Sequence, residues 1–185
     1  MSAQAAGVTD IAAQLRKSFD ESFAHAPLGE RKVQEDFLLV QLASDRYVLR
    51  LAEIARVASI QGLTRFPTPL PNLLGITGVR GALVPVYDLR RCLGLPAVQA
   101  PRWMAVATAA SIALAFDAVD SYLRVEQGST ARSTAIADRD PPSDQAHVRE
   151  ILHHEGQALP VISIASLVAA IQTAVRALPP NRGAV

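Results

Sequence analysis

The chain has 185 residues, half of them hydrophobic and 19% charged, enough apolar material for one well-buried domain or two small ones packed together. Lys plus Arg is 18 and Asp plus Glu is 17, and a formal charge of +1 argues against a polyanion partner, which calls for a basic excess on one segment. The single cysteine, Cys92, excludes an internal disulfide and any multi-cysteine metal site and fits a reducing cytosol.

Residues 1–36 stand apart from the rest. They carry six acids and four bases, and Ile11, Leu15, Phe19 and Phe23 recur every four residues behind a candidate N-cap, Asp10. The spacing predicts an amphipathic helix ended by Pro27 and Gly29, then a charged linker to Asp36. A helix of this length is marginal alone in water, so its apolar stripe needs a surface, either the body of the protein or a partner. The same residues lack an apolar run behind a basic start, so no signal peptide is expected. Residues 103–116 are too short to span a bilayer, and 157–175 are interrupted by Pro160 and several polar residues. A soluble, cytoplasmic protein is the expectation.

From Phe37 the pattern becomes β. Residues 37–43, a turn at 44–46 and residues 47–51 read as a hairpin. A short helical or strand-like piece, AEIARVASI, follows. Pro67, Pro69 and Pro71 at alternate positions then predict an extended loop. Residues 76–81 read as strand and turn, and 82–89 as a strand that Pro85 places at an edge or bulge. Asp88 is a candidate N-cap for a short helix, LRRCL, closed by Gly94. Further on, 103–116 reads as strand, turn, strand, and AVDSYLRV takes the place of AEIARVASI. Residues 126–145 read as a polar loop, and the segment from His147 as strand, turn, strand and helix. The last residues, 179–185, read as a disordered tail.

The two halves repeat one order. Gly81–Leu89 aligns with Gly156–Ile164 at a constant offset of 75, pairing Pro85 with Pro160 and the cap Asp88 with Ser163. Phe37 meets Trp103 at an offset of 66. Matched glycine, proline and cap positions favour duplication over chance similarity of apolar strings. Two units of about five short strands each point to two small, intertwined β-barrels, over approximately 37–100 and 101–178, in a mainly β domain spanning 37–178.

These residues resemble the CheW-like domain of bacterial chemotaxis, over about 37–171. The resemblance lies in FLLVQLASDRYVLRLAEIARV and in NLLGITGVRGALVPVYDLRRCLGL, where Gly75, Arg80, Gly81, Pro85, Asp88 and Leu89 keep the family's motif spacing. It implies two SH3-like five-stranded barrels with a hydrophobic seam. It also implies a non-enzymatic adaptor between the tip of a methyl-accepting chemoreceptor and the regulatory domain of a CheA-type histidine kinase, with self-association in arrays. Two positions depart from the pattern. Gly78 stands where the family has Asn, which keeps the turn but removes a polar contact. Arg56 stands where an acidic residue is usual, a sign reversal that changes which partner is tolerated.

The resemblance makes Arg80, Ile54, Arg56, Val57, Gly75 and Gly81 the candidate receptor site, and Phe66, Leu70 and Leu83 the candidate kinase surface. Each has a plainer reading. Arg80 can brace a loop, Ile54 and Val57 can cover the barrel seam, and the glycines can serve close approach or positive φ. Leu83 reads more safely as core, and Phe66 as the better surface contact. Asp88 is kept as a structural cap and Cys92 as a buried thiol. His153 and His154 are adjacent on a strand, point to opposite faces and read as solvated.

No nucleophile elbow, zinc-protease, P-loop or dinucleotide motif is present, so no catalytic residue, metal or cofactor is expected. An adaptor of a non-motility pathway, using residues 1–36 to dock a dedicated partner, is the first alternative. A nucleic-acid-binding barrel is the second, opposed by the near-neutral charge and only nine aromatic residues.

Overall fold

The structure, a computed structural model, describes residues 33–96, 99–132 and 147–178. The helix expected near the N-terminus and the C-terminal tail lie outside them. Among the described residues, eleven strands and two α-helices follow in chain order: β1 (Gln34–Leu42), β2 (Asp45–Arg50), β3 (Ile54–Ser59), β4 (Leu73–Val79), β5 (Ala82–Asp88), α1 (Leu89–Cys92), β6 (Trp103–Ala107), β7 (Ala113–Phe116), β8 (Ala118–Glu126), β9 (Thr130–Arg132), β10 (Val148–His154), β11 (Gln157–Ile162) and α2 (Ile164–Arg176). A single 3₁₀ turn, Leu51–Glu53, separates β2 from β3.

The strands form a six-stranded sheet, β8-β1-β2-β11-β10-β9, and a five-stranded sheet, β3-β6-β7-β5-β4. Under the sequence repeat, β1–β2 corresponds to β6–β7, β3 to β8, β4 to β10 and β5 to β11. Apart from the extra β9, the two sheet orders are then identical. Each repeat has given its first hairpin to the other sheet. The five-stranded sheet is therefore built from 54–116 alone, and the six-stranded one from the segments on either side. A division near residue 100 is not where the sheets part, because the hairpin pairs across the repeat and not within it.

Three apolar clusters explain the sequence pattern. Phe37, Leu39, Val48 and Val161 pack inside the six-stranded unit. Val84, Val86, Met104 and Val106 pack inside the five-stranded one. Leu38, Val40, Leu49, Phe116, Ile164 and Leu167 pack in the seam between them. Strand β1 is buried on both faces, which is why it reads as a continuous apolar run and not an alternation.

Both strand prolines share one solution. The parallel β5–β7 pairing begins at Val86 and the parallel β11–β2 pairing at Val161, so Pro85 and Pro160 each stand one residue ahead of it. A central strand thus tolerates proline where no parallel partner lies beside it.

Two local expectations are corrected. The stretch ending at Asp36 is not all linker, since Gln34–Asp36 already pairs with Glu126, Val125 and Arg124 of β8. Its charge is accommodated because Asp36 accepts from Tyr122 and Arg124 on the solvent face. The polar stretch after Glu126 includes β9, whose three residues pair with Leu152, Ile151 and Glu150. So short a strand has no periodicity to read.

Candidate functional site

The two ends of the five-stranded sheet, β3 and β4, face each other across a cleft of about 310 Å³ lined by Arg56, Ser59, Gln61, Thr77, Gly78 and Arg80, among others. The chain beyond β3 closes the barrel past one end of it. Thr64 and Ile76 exchange both backbone hydrogen bonds at 2.9 Å. Thr77 Oγ1 donates to the Gln61 carbonyl at 2.7 Å. Met104, from the barrel core, adds an apolar wall.

Arg80 owes its place to a two-residue hairpin. Val79 pairs with Ala82, and Arg80 and Gly81 turn between them with φ of 50° and 82°. Two successive positive φ values match the twist of the flanking strands, and Gly81 supplies the second without steric cost. Arg56 owes its place to a register shift between Ile54 and Arg56. That irregularity turns Ile54 and Val57 both toward the seam cluster, where they pack half-buried, and leaves Arg56 exposed. Among the described residues, neither Arg56 nor Arg80 has an ion pair.

Gly75 has a different function. A Cβ there would lie 2.3 Å from the Thr64 carbonyl oxygen, and its φ is 152°, so glycine permits the close approach that closes the barrel. At Gly78 the reverse holds: a Cβ would meet nothing within 4 Å. The glycine leaves open space in the cleft.

The expected apolar surface divides. Leu83 is 73% exposed and Phe66 43% exposed. The core reading of Leu83 is overturned because Val84 and Val86 take the inward positions on β5, which turns Leu83 outward. Leu70 is half-buried against the seam cluster. It lines a separate cavity of about 240 Å³ with Pro71, Tyr87, Cys92 and Ile171. Burial pushes the Cys92 thiol up to about 12, so it stays protonated and unreactive at neutral pH.

One site went unpredicted. Arg90 is fully buried, with Asp88 at 3.4 Å and Asp117 at 3.3 Å. It also donates to the Gln99 carbonyl. Asp88 meanwhile caps α1 through the Arg90 N–H at 3.0 Å, as expected of it. Asp117 accepts from the Ala43 N–H at 2.6 Å, which ties the β7–β8 junction to the β1–β2 turn. The sequence signal was present in DLRR, an acid two residues before an arginine, but spacing alone cannot show burial. Glu53 is a second such tie, accepting from the Ile164 N–H at 2.6 Å at the start of α2.

On the far sheet, Tyr122 and Arg124 hold Asp36 with bonds of 2.5 and 2.8 Å, and these hold its carboxyl below the usual carboxylate range. Among the described residues no group of acids, histidines and cysteine is arranged to hold a metal ion. No described helix is long and apolar enough to cross a membrane.

Comparison with known proteins adds three findings. A family model for the CheW-like domain matches residues 36–142, more than half of the chain. The chain is similar to the chemotaxis protein CheW of Bacillus subtilis (strain 168), with 30% identity over 67 residues. That match covers 36% of this chain and spans 43% of the Bacillus protein's length. The fold is similar to the crystal structure of the scaffolding protein TtCheW from Thermoanaerobacter tengcongensis, with a TM-score of 0.63 and 20% identity, covering 73% of this chain and 92% of that one.

Proposed function

The chain belongs to the CheW-like domain family, and from that premise we propose that it is a non-enzymatic adaptor coupling methyl-accepting chemoreceptors to a CheA-type histidine kinase. Arg80 and Arg56 contact the receptor tip, Ile54 and Val57 form the apolar ground beside them, and Gly75 and Gly81 hold the backbone that presents them. Phe66 and Leu83 offer exposed apolar side chains to the kinase regulatory domain. Leu70, half-buried, supports the loop that carries Phe66. The adaptor works in the cytoplasm and reaches the membrane only through its partners.

The observation that carries this reading is the convergence of exposed, unpaired Arg56 and Arg80 on one cleft of a CheW-like fold. The work is positional. Holding receptor and kinase together raises the effective concentration of each for the other, so weak contacts suffice.

Co-sedimentation with receptor tips and kinase tests it. Arg80→Glu is expected to weaken receptor capture about five- to thirtyfold, the equivalent of about 1–2 kcal/mol. The melting temperature stays unchanged because the side chain is exposed. Undiminished capture by this variant contradicts the assignment of Arg80.

A further inference from the structure

The β3–β4 cleft combines three features. Two exposed guanidinium groups, Arg56 and Arg80, flank it without an ion pair, and no acidic residue lines it. Its wall at Gly78 is open, since a Cβ built there would meet nothing within 4 Å. The arginine-lined cavity beside α1 differs on the first two. There Asp88 is part of the lining and already pairs with Arg90 and Arg91.

We propose that the cleft is a carboxylate-binding site that takes an acidic segment of the protein partner, with Arg56 setting the required charge and Gly78 the required room. Two guanidinium forks with no internal counter-charge attract carboxylates and repel cations. Repulsion matters as much as attraction, because a partner presenting Lys or Arg opposite Arg56 is turned away. The inference deepens the adaptor reading and rests on it for the source of the acidic segment.

Binding of octaglutamate and octalysine to the full-length protein tests it, read by backbone amide shifts. Octaglutamate should shift the amides of Thr77, Gly78 and Gly81, whereas octalysine should leave them in place. Arg56→Glu should weaken octaglutamate binding about fivefold, the scale of one exposed charge pair. Gly78→Leu should block it without lowering the melting temperature, since Gly78 lacks a positive φ and faces open space. Receptor-tip capture is measured on the same samples. If Arg56→Glu captures the tip as wild type does and octaglutamate leaves the cleft amides unmoved, the carboxylate site is overturned and the adaptor reading stands. If wild type captures no tip while octaglutamate still maps to the cleft, the adaptor reading fails and the site stands.

Discussion

The two repeats carry the same backbone and different chemistry. Arg80–Gly81 turns with φ of 50° and 82°, and Glu155–Gly156 turns with φ of 48° and 76°. Asp88 and Ser163 each cap the helix that follows, accepting a backbone N–H at 3.0 and 3.2 Å. The side chains then diverge. The first turn shows a cation to a cleft, and the second an exposed acid. Arg90 is buried in the first repeat, and its counterpart Ala165 is exposed on α2. Duplication supplied a turn, a proline and a cap twice. Individual side chains made one copy a brace between units and a candidate partner site.

Substitutions made in pairs, one in each repeat, sharpen this contrast. The largest effect is expected at Arg90. Arg90→Ala leaves Asp88 and Asp117 buried without their guanidinium and should cost about 3–5 kcal/mol. Ala165→Arg, on an exposed position, should change stability by less than about 0.5 kcal/mol. Denaturant unfolding of both variants measures the pair, and equal losses would break the contrast.

Next comes Gly75→Ala, with a Cβ driven to 2.3 Å from the Thr64 carbonyl. Overpacking and backbone strain together should cost about 2–4 kcal/mol. Its counterpart Glu150 sits at the matching register shift of β10 but without a positive φ, and it pairs with Arg50 at 2.5 Å. Glu150→Ala should cost about 1 kcal/mol or less. The smallest contrast between the repeats belongs to the turns. Gly81→Ala and Gly156→Ala should each cost about 1–2 kcal/mol, from positive φ alone, because neither added Cβ meets an atom within 4 Å. Unequal values would show that the two turns are not equivalent.

The order of elements was legible because hairpins, prolines and caps leave local signals. The hairpin at 37–51, the proline-bearing strands and the cap Asp88 all lie where spacing put them. The exchange of hairpins between sheets was not legible, since alternation shows that a strand is buried but not which strand lies beside it. Arg90 was missed for a related reason: its counter-charge Asp117 is 27 positions away in sequence. Leu83 was misread as core because an apolar residue in a strand of apolar residues gives no sign of its face once Pro85 interrupts the alternation. At the cleft, Arg56 and Arg80 were each singled out, but only the fold shows that they line one opening with Gly78.

The central claim is that an arginine at the first turn, and not charge in general, makes the receptor contact. Exchanging the two turn residues in one protein, Arg80→Glu with Glu155→Arg, keeps the composition, net charge and both turn backbones. Receptor-tip affinity of this double variant, measured beside its melting curve, is the direct test. The account predicts a native melting curve with capture lost at least about fivefold. Wild-type affinity in a natively melting double variant would contradict it.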